Sequence, residues 1–244
     1  MFYRTPDHDP GCNRCSLSTG KSVHSHSQVP FDQVLLAIYA AYPAEIEEEK
    51  ELSLYPNGES LKMNAGQFLK NYLSLVFDYS ETSFIKNQYK PFRKYVLYGN
   101  ALRCKPLTNK GEKKAIKHQH RIACKYWLDL DINSLNPRVP ILVSGSEAVK
   151  SFFGSDASLK AYRGTVHYYG QHPVVVCENF VHGSTYHTFE PQSYYKDKSS
   201  GLDIPTGEAV LVKPIPGDPV WMLANELKLV RTLVEEYIQD METN

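Results

Sequence analysis

Three apolar runs of buried-strand length constrain this chain more than any other feature. "VLLAIYA" (34–40), "KYVLYGNAL" (94–102) and "VPILVSG" (139–145) are continuous rather than alternating, and turn residues follow them. A strand that is apolar on both faces must be covered on both, as in parallel sheets, so the three read as parallel neighbours. Between the first two lies "NAGQFLKNYLSLVF" (64–77), where Phe68, Leu69, Tyr72, Leu73 and Val76 share one helical face and Asn64 stands at the N-cap. "GEKKAIKHQHRIACKYWLDL" (111–130) predicts a second helix that buries Ile116, Ala123, Cys124, Trp127 and Leu128, and "SEAVKSFF" opens a third after Gly145. "GTVHYYGQHPVVVCEN" (164–179) reads as two strands around a turn, and "VWMLANELKLVRTLVEEYIQDM" as a closing amphipathic helix. Alternating strands and helices imply right-handed crossovers and an α/β sheet covered on both faces. Ligands of such sheets bind beyond the carboxyl ends of the strands, which gathers the loops after Tyr39, Tyr98, Ser144 and Val176 on one functional edge.

With 244 residues, 42% of them hydrophobic, one domain over 1–244 is expected. Residues 1–30 are polar and without periodicity, a loop-rich arm. Residues 182–220 are aromatic, polar and rich in breakers, a long loop over the functional edge with one short strand around "AVLVK". No apolar run reaches the roughly eighteen residues of a membrane span, and the N-terminus lacks the basic-then-apolar pattern of a secretory signal. A cytoplasmic, reducing setting is therefore expected. The formal net charge is zero, yet Lys86 to Lys125 carries twelve Lys and Arg against the single acid Glu112. Such a segment is the footprint of a bound polyanion, or else a solvated helix face.

In a reducing setting the pair Cys12 and Cys15 reads first as metal-binding, since no strand precedes it to suggest a redox motif. Cys104 follows the second apolar run and Cys124 lies in the next helix. The intervals are two, 88 and 19 residues. Four thiolates suit zinc or an iron–sulfur cluster, and the spacing alone does not choose. Cys177 reads as a buried strand residue.

The segments "CNRCSL", "YGNALRCKPL" and "HRIACKYWL" occur in the order in which the iron–sulfur uracil-DNA glycosylases, family 4 of their superfamily, carry a C-x-x-C-x-L, a strand followed by "KCRPP", and a helix with a fourth Cys. "NAGQFLKNYL" is similar to that family's "RAGQLLDRLL", "ILVSGSEAVKSFFG" to its "LG-x-x-A" unit, and "AYRGTVHYYGQHPVVV" to its "LRG...PV" hairpin. The resemblance spans roughly residues 12 to 180 plus the last helix. It implies a three-layer α/β fold with a central, mostly parallel four-stranded sheet and an N-terminal cluster-binding arm. It also implies a 4Fe-4S cluster on Cys12, Cys15, Cys104 and Cys124, and DNA, single- or double-stranded, as the partner of a monomer. Lys105, Lys113, Lys114 and Lys117 are the expected phosphate contacts.

The chemical positions depart from the family. Its first strand ends in G-E-x-P-G, whose acid handles the attacking water; here "AAYPA" (40–44) keeps Pro43 but puts Ala41 at the acid, with Tyr42 beside it. Glu45 and Glu47 act only if the loop folds back. Leu61 falls where the family stacks a Phe on the base, a weaker platform. Asn100 matches the base-reading Asn, whose amide pairs with a donor and an acceptor on a pyrimidine edge, although Gly99-Asn100 is also a good turn dipeptide. The family's "T-Y-H-P" aligns with "CENF" (177–180), which puts Asn179 at the His position beside Glu178, or else with "STYHTFEP", which supplies His187. The expected activity is hydrolysis of the N-glycosidic bond of a flipped base, inefficient on ordinary uracil. The alternatives are a DNA- or base-binding protein without hydrolysis and an enzyme acting on nucleotides.

Overall fold

The computed structural model describes residues 2–4, 12–17, 22–56, 64–73, 77, 92–106, 115–180, 194–196, 203–205 and 219–243. The strands are β1 (Tyr3–Arg4), β2 (His26–Ser27), β3 (Leu36–Ala40), β4 (Val96–Asn100), β5 (Ile141–Ser144), β6 (Val166–Tyr169), β7 (His172–Cys177), β8 (Tyr194–Lys196) and β9 (Asp203–Pro205). The helices are α1 (Glu45–Lys50), α2 (Ala65–Leu73), α3 (His118–Asn133), α4 (Ser146–Phe153), α5 (Leu159–Tyr162) and α6 (Pro219–Thr243).

Seven strands form one sheet in the order β1-β2-β4-β3-β5-β7-β6. The three apolar runs are parallel neighbours as expected, and β7 joins them, so β4-β3-β5-β7 is a continuous parallel block. Every residue from Leu36 to Tyr39 and from Ile141 to Ser144 is buried, the double-sided burial that a run without alternation demands. The 164–179 segment forms the antiparallel β6–β7 hairpin. The sheet thus has seven strands, not four: β6 closes one edge, and β1 and β2 extend the other.

Those two strands correct the expectation of a structureless arm. β2 pairs antiparallel with β4 and β1 with β2, capping backbone groups that an edge strand otherwise exposes. Polar "SVHSHS" (22–27) is buried because its partners are distant in sequence. Arg103 and Asp131, both almost wholly buried, pair at 2.8 Å. His24 Nδ1 meets Arg103 at 2.7 Å and the Ser25 hydroxyl donates to Asp131. A buried ion pair persists only when its remaining hydrogen-bonding capacity is satisfied, and here the arm satisfies it. At Gly99 a Cβ would meet the Ser25 Oγ at 2.5 Å and the Tyr39 ring at 2.6 Å, so this close approach needs glycine.

Asn64 caps α2 as predicted: its Oδ1 accepts from the Gln67 N–H at 2.8 Å, and its Nδ2 donates to the Tyr55 carbonyl at 2.7 Å. Gly66 is required there because the backbone of Leu54 and Tyr55 packs directly against it. α3 begins at His118, later than the predicted 111. Tyr39 reaches Phe152 of α4 with ring centroids 5.4 Å apart. α6 packs along β7 and buries Leu223, Leu227, Val230 and Val234 at helical spacing. Within 182–220, β8 and β9 pair as a small separate sheet, and the expected "AVLVK" strand lies outside the described residues. Among the described residues no helix is long and apolar enough to cross a membrane.

Candidate functional site

The carboxyl ends of β3, β4, β5 and β7 lie side by side, and the segments leaving them carry the candidate residues. The chain leaves β3 through Ala41 and Tyr42, and the Ala41 carbonyl accepts from the Leu102 N–H at 2.9 Å, which ties this turn to the end of β4. Ala41 brings no acid, but α1 does. Glu47 folds back: its carboxylate accepts from the Ala44 N–H, the return half of a capping box, and from the Leu54 N–H. Glu45 instead stays exposed and pairs with Lys105 at 3.5 Å.

Glu47 is 5% exposed. Burial raises its pKa to about 7, against the opposing pull of the backbone donors at Ala44, Leu54 and Tyr55 and of the Asn100 amide. Asn100, 3% exposed at the end of β4, approaches Glu47 closely enough to favour its charged form, yet among the described residues neither amide atom makes a hydrogen bond of ordinary geometry. A buried carboxamide without partners costs about 1–3 kcal/mol. The pair is therefore an acid raised toward neutral pH against a carboxamide that interacts with it but lacks a full set of hydrogen bonds. Of the two carboxylates that the sequence offered on condition that the loop fold back, Glu47 is the one that the fold brings beside Asn100.

The raised pKa sets a stability window. Below about pH 4.5 the carboxyl is protonated in both states; as pH rises, the unfolded chain loses its proton first, while the folded one keeps it to about 7. Stability should fall across that window, by about 3 kcal/mol as an order of magnitude. Chemical denaturation at several pH values should show this slope in wild type and a flatter profile in Glu47→Gln. Identical profiles would mean that the carboxyl is solvated.

At the end of β7, Glu178 is engaged in a clamp. Arg163 bonds Glu178 and Glu226, each at 2.8 Å, while Glu226 also accepts from the Glu178 N–H at 3.2 Å. Burial raises the Glu226 pKa although Arg163 opposes it. Glu178 thus pins the strand end and is poorly placed to serve as a free base. Asn179 lies across Gly145, and the Ser144 hydroxyl bonds the Glu178 carbonyl and the Phe180 N–H. β4 and β7 are separated by β3 and β5, which sets their ends about 14 Å apart, so Asn100 and Asn179 flank the middle of this edge. Leu61, Lys113, Lys114 and His187 lie outside the described residues.

The four cysteines come together from the arm, the end of β4 and α3. Cys12, Cys104 and Cys124 are buried, Cys15 is half-buried, and none of the four is in a disulfide. Burial pushes Cys104 up to about 12, and Cys124, Cys12 and Cys15 add to it; Cys124 is pushed up to about 11, again with Cys15 and Cys12 contributing. The thiols therefore stand within one another's electrostatic reach. A single tetrahedral zinc would draw its sulfurs to about 3.8 Å apart. Among the described residues no three His, Cys, Asp or Glu side chains converge on a single ion in that way. The loop that carries the first two cysteines is fastened to α3: Ser16 bonds the buried His120 at 3.0 Å, Leu17 is fully buried, and Arg14 lies 4.1 Å over the Tyr126 ring. Cys177 is wholly buried in β7, as expected.

The basic segment is more nearly neutral in space than in sequence. Arg103 pairs with Asp131, Lys105 with Glu45, Arg121 with Glu147 at 2.8 Å, and Lys125 with Asp129 at 3.3 Å. Four of the twelve cations, Lys105 among them, thus face acids that lie outside the segment. Lys117 opens α3, and Arg93 and Lys94 border a cavity. Compared with models of known protein families and with curated proteins, the chain matches none.

Proposed function

We propose that this chain is a DNA-binding iron–sulfur protein of the uracil-DNA glycosylase kind. It would hydrolyse the N-glycosidic bond of a flipped, uracil-like or modified base, slowly on ordinary uracil. The observation that carries the reading is the buried Asn100 carboxamide, without a hydrogen bond of ordinary geometry among the described residues, against the Glu47 carboxyl at the carboxyl edge of a parallel block. A pyrimidine edge offers the acceptor and donor that this amide lacks. Glu47 takes over the role vacated at Ala41: with a pKa near the working pH it orients and deprotonates the attacking water. The backbone donors on its two oxygens hold it still and lower its basicity, which makes the reaction slow. Asn179, across the edge, donates to the departing base oxygen less strongly than a cationic His would.

A donor set of four thiols, three of them buried, suits a polynuclear iron–sulfur cluster, since metal binding relieves the cost of ionising Cys104 and Cys124. Cys12, Cys15, Cys104 and Cys124 would hold it. Its contribution when bound is structural, joining the arm to β4 and α3. The three-layer arrangement of that enzyme class fits the β4-β3-β5-β7 order with helices packed against the sheet.

One observation favours the second reading, a base-binding protein without hydrolysis: each Glu47 oxygen already accepts a backbone N–H. Both readings are tested on the same samples. Purified protein is incubated with oligonucleotides bearing different lesions, scoring abasic sites and stable retention together. Excision of at least one lesion supports the enzyme, retention without abasic sites the binder, and neither result overturns both.

A further inference from the structure

We propose that a second pocket, on the flank of the sheet beside α2, binds a nucleotide: a flat heteroaromatic ring carrying phosphate. The pocket is a cavity of about 260 Å³ where the arm meets β4. Antiparallel pairing of β2 with β4 sets His26 opposite Tyr98, their ring centroids 5.7 Å apart and tilted by 30°. Phe2, just before β1, meets His26 edge-on at 5.1 Å. These rings form an aromatic wall against which a flat ligand ring can pack. Lys70 of α2 and the adjacent Arg93 and Lys94 border the same cavity, and among the described residues no Asp or Glu lines it.

His26 supplies the observation that points to a ligand. Its side chain is 6% exposed, and Nδ1 has no hydrogen-bond partner among the described residues. A buried polar atom left so costs about 1–3 kcal/mol. Burial, with Arg4 nearby, lowers its pKa to about 3, so the imidazole is neutral and adds no charge to the wall. Aromatic wall, an unsatisfied buried nitrogen within it and three cations around it suit a heteroaromatic ring that carries a phosphate. An apolar ligand would leave Nδ1 and the cations unused, and a peptide carboxylate would leave the wall unused. Neither Asn100 nor Glu47 lines the pocket, although Leu54 and Tyr55 border it and also donate backbone hydrogen bonds to Glu47; the nucleotide reading rests on the wall and the cations and not on the glycosylase reading.

The test uses the full-length protein and calorimetric titration with thymidine 5′-monophosphate, deoxyadenosine 5′-monophosphate, their uncharged nucleosides and inorganic phosphate. The mononucleotides should bind at least about tenfold more tightly than either the nucleosides or phosphate. The surface double variant Arg93→Met/Lys94→Met and, separately, His26→Phe, which keeps a ring but removes the nitrogen, should each weaken binding by about tenfold or more. A short single-stranded oligonucleotide distinguishes the source. If the pocket takes a nucleotide of a bound strand, the same variants weaken the oligonucleotide and the mononucleotide competes with it; if the ligand is free, only mononucleotide binding changes. Thermal melts check folding, and if His26→Phe is unfolded the surface variant decides alone. Mononucleotide and oligonucleotide affinities both unchanged in the folded variants would overturn the proposal, as would nucleosides binding as tightly as nucleotides.

Discussion

Glu47→Gln should lower the excision rate by about 100- to 10,000-fold, the usual cost of losing a general base, while DNA binding persists. The reasoning is positional. Ala41 has no proton-accepting group, Glu45 is exposed and paired with Lys105, and Glu178 is held by Arg163, which leaves Glu47 as the described carboxyl beside Asn100. Because the same substitution also disturbs the bonds from the Ala44 and Leu54 N–H groups, a rescue experiment separates chemistry from structure. Adding Ala41→Glu to the Glu47→Gln chain should restore part of the rate, and Ala41→Glu alone should raise excision of uracil. Asn100→Ala should erase preference among bases and leave nonspecific affinity alone. Full activity in Glu47→Gln would place the base elsewhere, with His187 the next residue to replace.

The second large effect concerns the cysteines. Protein prepared without oxygen should be brown and bleach with a strong reductant. Cys104→Ser should abolish the iron and loosen the 12–17 loop, which Ser16, Leu17 and Arg14 still hold against α3, whereas Cys177→Ser, buried in β7, should keep full iron content. Loss of metal should not release the whole arm. Residues 22–27 are held independently by Arg103, Asp131 and the pairing of β2 with β4, so limited proteolysis of Cys104→Ser should cut before residue 22 and not within 22–27. Equal iron in the two variants, or zinc in place of iron, would refute the ligand assignment.

The parallel block was legible because its signal is local and redundant. Runs such as "VLLAIYA" and "VPILVSG" can be satisfied only by burial on both faces, and Asn64 marks its helix through an interaction three residues long. What the sequence did not reveal was decided by partners distant in the chain. "SVHSHS" reads as a polar loop until Asp131 and Arg103 complete its hydrogen bonds, and only then can it add a strand to the sheet. The run of cations from Lys86 to Lys125 reads as uniformly basic, and only the fold sets Glu45, Asp129, Asp131 and Glu147 against four of its members. Glu47 reads as one solvated charge in "EIEEEKE"; the tertiary structure buries it against Asn100, and the loss of water moves its pKa to about 7. Propensity and burial pattern are properties of a segment, and so the sequence determined the elements and their order. Charge state and polar satisfaction depend on which groups meet across the fold, and those only the tertiary structure decided.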